Sequence, residues 1–157
     1  MQGNIIRLAQ AGEEVSVAEC VNAAYAKYVE RIGKKPAPML ADYASLIAWG
    51  HVYVLEDAQE EVQGIQGVLV METQGDGLFI ENVAVDPAYQ GRGLGRTLMN
   101  FAEQRAREEK LLEIHLYTNE LMTENLGFYR SLGFEETERR MEDGYHRVFL
   151  HKMLCYS

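Results

Sequence analysis

The sequence predicts an α+β domain with a mixed, mostly antiparallel sheet of about seven strands and four helices. Three observations carry that reading. The runs follow the order strand, two helices, three strands, helix, strand, helix, two strands. Turn signals at 75–77 and 143–144 join neighbouring strand runs as hairpins. One strand–helix–strand crossover then sits in an otherwise antiparallel sheet, which does not fit a doubly wound fold. A chain of 157 residues makes one domain, 1–157, with enough length for a buried core.

Ile5, Ile6 and Leu8 open a short strand. Across 13–32, Val17, Val21, Ala24, Tyr25, Tyr28 and Ile32 recur at helical spacing, and Gly33 stops the run. Pro36 and Pro38 predict an extended connection, followed by a short helix over 42–49. Strand runs follow at 51–56, 64–73 and 78–85, the first two joined by a looser turn at 60–63. After Asp86-Pro87 comes a glycine-rich loop, then an amphipathic helix with Leu94, Leu98, Phe101, Ala102 and Ala106 on one face. Leu112, Ile114 and Leu116 alternate with polar or half-polar residues as a strand, and 121–132 is helical up to Gly133. The hairpin 135–154, turning at Asp143-Gly144, closes the chain.

Charge excludes some partners. Lys plus Arg number 15 against 24 Asp plus Glu, a net charge of −9. A nucleic-acid backbone or an anionic membrane would be repelled over most of such a surface, whereas an amine would be attracted. No apolar stretch approaches the ~20 residues that span a bilayer. The first residues lack the basic start and apolar run of a signal peptide, so a cytoplasmic location is expected. Cys20 and Cys155 lie in unlike settings and read as a buried thiol and a tail thiol. His51, His115, His146 and His151 have no ligand spacing, and no metal is expected.

The most informative stretch is Gln90-Gly91-Arg92-Gly93-Leu94-Gly95-Arg96. Glycines at alternate positions clear side chains from a place where backbone N–H groups converge. They open a helix, whose N-terminus favours an anion, and Arg92 and Arg96 add positive charge. A phosphate site is the reading. Gly95-Arg96-Thr97 lacks the lysine of a P-loop, and the G-x-G-x-G spacing is not that of a dinucleotide fingerprint.

Gln90-x-x-Gly93-x-Gly95, following a strand and a proline, resembles the pyrophosphate loop of the GCN5-related N-acetyltransferases. The element order matches that family over nearly the whole chain. The resemblance implies an acyl-CoA N-acyltransferase-like fold and acetyl-CoA as cosubstrate. It implies that pantetheine lies along Val83, Ala84 and Val85. It also implies that the loop amides of Gly91, Arg92, Gly93, Leu94, Gly95 and Arg96, with Gln90, hold the pyrophosphate. The segment from Asn125 through Tyr129 to Phe134 resembles the helix that passes the thioester, and Tyr129 matches the family's usual general acid. The commonest family spelling has an asparagine about two turns before that tyrosine, where this chain has Met122. Asn125 matches branches that place it one turn before.

Attack of an amine on a thioester needs a neutral amine, a stabilised oxyanion and a protonated leaving thiolate. A phenol near pKa ~10 can donate to a thiolate whose thiol has a pKa of about 8.5. Asn125 and Tyr129 share a helix face at i, i+4, and the Val83 N–H is the expected oxyanion donor. Glu81 interrupts an apolar strand and, by simple alternation, shares a face with Val83 and Val85. A carboxylate there is expected to face a wet cleft as the base. Ile80-Glu81-Asn82 also resembles the strand of the glucosamine-phosphate acetyltransferases, but Asn82 stands where those carry a second acid.

For the acceptor, Tyr25, Tyr28 and Arg31 on the first helix are expected to face the bend that carries Met39. Tyr117, Asn119, Met122 and Tyr145 are expected to complete the pocket. The acceptor expected is a primary amine, on a small molecule or a peptide. Two other functions stay open on these residues: a non-catalytic acyl-CoA-binding regulatory module, and protein–protein contact through 135–154, with a homodimer possible.

Overall fold

The computed structural model describes residues 3–58 and 64–156, so the turn expected at 60–63 lies outside the described residues. The strands are β1 (Asn4–Leu8), β2 (Val52–Asp57), β3 (Ile65–Gln74), β4 (Gly77–Val85), β5 (Glu113–Asn119), β6 (Glu135–Glu142) and β7 (Tyr145–Met153). The helices are α1 (Glu14–Ile32), α2 (Tyr43–Ala48), α3 (Leu94–Glu108) and α4 (Thr123–Ser131). The strands form one mixed sheet in the order β1-β2-β3-β4-β5-β7-β6. Among the described strands only the β4–β5 pair is parallel, joined through α3, as the single crossover predicts.

The helices cover both faces of the sheet. Val17, Val21, Tyr25 and Tyr28 of α1 and Leu46 and Ile47 of α2 pack on Val52, Val54, Val68 and Val70. Leu98, Met99 and Ala102 of α3 and Leu126 and Tyr129 of α4 pack on Leu55, Leu69, Ile80 and Ile114. Helical caps are placed as the sequence asks: Gly33 ends α1 at φ 89°, and the Asp42 side chain accepts the Ser45 N–H at 3.2 Å to start α2. No helix among the described residues is long and apolar enough to cross a membrane. Cys20 is buried and Cys155 exposed, both as free thiols.

Two local expectations change. The segment after Pro36 is not extended but makes a 3-10 turn, Ala37–Leu40. A proline at the start of such a turn gives up an N–H that has no partner there anyway. The alternation of β4 is also reset. Val70 pairs with Asn82 and Met71 with Ile80, which leaves Glu81 as an unmatched bulge residue. Leu78 and Ile80 belong to the α3/α4 layer, whereas Ala84 belongs to the α1/α2 layer and Val83 and Val85 return to the first. Glu81 therefore does not share a face with Val83 and Val85.

Candidate active site

The site begins with a break in the sheet. β4 and β5 pair from Gly77↔Glu113 to Ile80↔Leu116 and then part, just before the bulge. Beyond that point β3 is the one strand that pairs with β4 among the described residues. Asp86 N–H donates to the Gln66 carbonyl at 2.9 Å, which sets the alternation of the antiparallel ladder. In that alternation Val83 and Val85 turn their N–H and C=O groups away from β3 and into the gap. The Val83 carbonyl accepts the Tyr25 hydroxyl at 3.1 Å and the Val85 carbonyl the Gln90 amide at 3.4 Å. Their N–H groups donate to no described residue.

One side of the gap opens into a cavity of about 320 Å³. Val83, Ala84, Val85, Gln90, Gly91, Gly93, Leu94, Gly95 and Arg96 line it, with Asn125, Phe128 and Tyr129 opposite. Gly91 at φ 85° and Gly93 at φ 75° lie in the left-handed region, and Gly93 stands as the N-cap of α3 with no side-chain cap. A Cβ on Gly95 would lie 3.3 Å from the Phe128 ring, so the third glycine lets α4 approach the loop. The N-terminal amides of a 15-residue helix thus face open space beside Arg96. Arg92 does not line the cavity; its guanidinium lies 5.3 Å from the Tyr89 ring.

On the other side of the gap is a narrow cavity of about 80 Å³. Glu81, Asn82, Tyr117, Asn119, Met122, Tyr145 and Arg147 line it, with Pro36 and Pro38 across from them. The two cavities share three residues: Tyr25, Asn125 and Tyr129.

Tyr129 is 5% exposed, its ring set between Phe128 and Phe134 at centroid distances of 5.2 and 5.8 Å. Burial holds its hydroxyl well above the ordinary phenol value, so it stays protonated at neutral pH. One turn earlier, the Asn125 amide lies 3.5 Å from Met122 Sδ. Glu81 is half-buried and forms no ion pair among the described residues. Burial first, and then the Glu72 charge, raise its carboxyl above the ordinary value, while His51 acts in the opposite sense. Such a carboxylate takes up a proton more readily than a surface one.

Asn82, which sequence reasoning considered only as a missing acid, is a structural hub. Its carbonyl accepts the Tyr25 hydroxyl at 2.9 Å and its amide donates to the Tyr43 hydroxyl at 3.0 Å. Tyr43 in turn donates to the Pro38 carbonyl at 2.6 Å. This buried chain ties β4 to α1, α2 and the proline turn, where unpaired polar groups would be costly.

Three expected acceptor residues lie elsewhere. Tyr28 lines the larger cavity, on the side of the glycine loop. Arg31 points to the surface and pairs with Glu124 at 2.6 Å. Six residues beyond Tyr25, it sits about 240° around the helix and cannot share its face. Met39, carried by the 3-10 turn, packs against the α1/α2 core and lines neither cavity. Pro36 and Pro38 of the expected bend do line the smaller cavity, but Arg147 was missed. Arg147 reaches the cavity through the pairing of β7 with β5, opposite Asn119, which no local pattern announces.

Residues 48–136 match the acetyltransferase (GNAT) domain. The chain is 39% identical over 62 residues to glucosamine 6-phosphate N-acetyltransferase of Trypanosoma brucei brucei, covering 40% of each protein. It is 28% identical over 91 residues to human N-acetyltransferase 8B, covering 56% of this chain and 40% of that one. The chain therefore spans 40% of the length of each of these two relatives. In fold it is similar to the paia N-acetyltransferase of Thermoplasma acidophilum solved with coenzyme A. The TM-score is 0.77 at 14% identity, over 96% of this chain and 99% of that one. The matched span runs from the last residue of α2 through the glycine loop and Tyr129's helix to the start of β6, and the chain belongs to the GNAT acetyltransferase family.

Proposed function

We propose that the chain is an N-acetyltransferase that moves an acetyl group from acetyl-CoA directly to a primary amine, with both bound at once. One observation carries the reading: two cavities of unlike character meet at Tyr25, Asn125 and Tyr129. A purely acyl-CoA-binding module would need the larger cavity but not the smaller one with its raised carboxylate.

The residues present fit the coenzyme. The amides of the glycine loop and the N-terminus of α3 would hold the pyrophosphate, and Arg96 would add its charge. The free N–H groups of Val83 and Val85 would pair with the pantetheine amides, and the Val83 N–H would also face the thioester oxygen. When bound, acetyl-CoA supplies an activated carbonyl.

Glu81 receives a proton from the acceptor nitrogen, through water, as the new C–N bond forms. The C–S bond breaks and Tyr129 gives its hydroxyl proton to the departing sulfur. A substrate that arrives as an ammonium releases one further proton to solvent, so N-acetyl amine, free coenzyme A thiol and protons balance. Tyr129 is then reprotonated from the Glu81 side of the gap. The test is to incubate the chain with acetyl-CoA and a pooled library of primary amines and follow thiol release. Amine-dependent release is expected. Tight coenzyme A binding without release for any amine would assign the binding-module function instead.

Arg96→Ala should weaken coenzyme A binding by about two- to fivefold at low salt, less as ionic strength rises. Arg92→Ala should have the smaller effect because its side chain turns to Tyr89. Isothermal titration at two salt concentrations checks both; a larger loss from Arg92 would place the phosphate on the outer side of the loop.

A further inference from the structure

We propose that the acceptor is a small zwitterion, an amino-acid-like molecule whose carboxylate is held by Arg147, and not a polypeptide. The proposal rests on the acetyl-transfer reading above and specifies the substrate class of the smaller cavity.

Arg147 is 7% exposed and lines that cavity. Its guanidinium lies 4.2 Å from the Tyr117 ring centroid and 5.9 Å from that of Tyr145. Nη1 donates to Glu142, and to Asp143 at 3.5 Å, which fixes the side chain from the hairpin side. Neither Nε nor Nη2 donates a hydrogen bond to any described residue. Those two nitrogens form the edge of a guanidinium that grips a carboxylate with two parallel bonds. No buried side-chain nitrogen or oxygen among the described residues lacks a partner, so these two donors are open to the cavity, where an acceptor molecule's carboxylate can reach them.

Glu81 lines the same cavity, and no ion pair joins it to Arg147 among the described residues. Tyr117 lies in the field of both charges, with Arg147 and Glu81 acting on it in opposite senses. A carboxylate, and a guanidinium whose Nε–Nη2 edge is left open although Nη1 is paired with the hairpin acids, complement across one aromatic wall a molecule that bears an amine and a carboxylate.

The mouth argues for small size. The tip of the β6–β7 hairpin is fastened to the connection after α1. Lys34 Nζ donates to the Gly144 carbonyl at 2.7 Å, and the Tyr145 hydroxyl to the Lys35 carbonyl at 2.6 Å. The Lys34 ammonium also lies 4.2 Å from the Tyr145 ring centroid. An extended peptide would need these walls apart. The cavity, about 80 Å³, is the smaller of the two that meet at Tyr129, and it suits a small molecule better than a polypeptide.

The experiment uses the full chain with acetyl-CoA, and α-, β- and γ-amino acids each paired with its carboxamide, plus a tripeptide. Thiol release is followed, and KM is expressed as unprotonated amine. At least one amino acid should show a KM about tenfold to a hundredfold below that of its carboxamide, and the tripeptide should be inert. Arg147→Gln should raise KM for the carboxylate acceptor by a similar factor and leave that of the carboxamide nearly unchanged. Because Arg147 also anchors the hairpin, the acceptor series on the unaltered chain decides even if that variant fails to fold. Carboxamides used as well as carboxylates, or a tripeptide used better than either, would overturn the proposal while acetyl transfer stands. No release with any acceptor would overturn acetyl transfer and this proposal with it.

Discussion

Replacing Tyr129 with phenylalanine should lower kcat by about 10²- to 10⁴-fold and leave coenzyme A affinity within about twofold. The ring is what packs between Phe128 and Phe134, and phenylalanine keeps it. The hydroxyl is what the variant removes, and it makes no hydrogen bond to any described residue, so the fold loses no partner. The need for the proton follows from the surroundings. In this same protein, burial pushes the Cys20 thiol up to about 12. A coenzyme A thiolate released beside the buried Tyr129 ring is a base of the thiol class and departs as the thiol once the hydroxyl protonates it. Burial raises Tyr129 for the same reason, so donor and acceptor stay matched. Steady-state kinetics with parallel calorimetry checks the split; an unchanged kcat would remove Tyr129 from proton transfer.

Glu81→Gln should lower kcat by about 10²-fold or more and abolish the acidic limb of its pH profile. In the unaltered chain that limb should lie above the ordinary carboxylate range, because burial and Glu72 raise Glu81. The amine's own titration persists in both proteins and marks the difference. Stability should move the opposite way. A carboxyl whose pKa is raised in the folded state binds its proton more tightly there than in the unfolded chain. Ionising it at higher pH therefore costs the folded state. The glutamine variant should melt at a higher temperature than the unaltered chain at pH 7 and lose that advantage in acid. A retained acidic limb would show that solvent or another group takes the proton.

Local chemistry made half of the site legible in the sequence. Alternate glycines, two arginines and a helix start lie within seven residues, and the loop they form is the loop the structure contains. Asn125 and Tyr129 are one turn apart and reach both cavities together. The acceptor half was legible only in part. Tyr25, Tyr117 and Asn119 line its cavity, but Arg31 was read on Tyr25's face although helical geometry turns it away. No residue type announces the bulge at Glu81; it follows from how β3 and β4 pair over many residues. Arg147 comes to the cavity through strand pairing across the sheet, so its role is written in topology. The order of elements was easier, because each helix and strand carries its own periodicity and each turn its own glycine or proline.

Coenzyme A is expected to enter the gap where β4 leaves β5 and to pair there with the free edge of β4. The direct measurement is backbone amide NMR of the full chain titrated with coenzyme A, with hydrogen exchange at saturation. The Val83 and Val85 amides should shift and become strongly protected, and those of Gly91, Gly93 and Gly95 should shift with them. Saturable binding that leaves the Val83 and Val85 amides unshifted and exchanging as before would contradict the account.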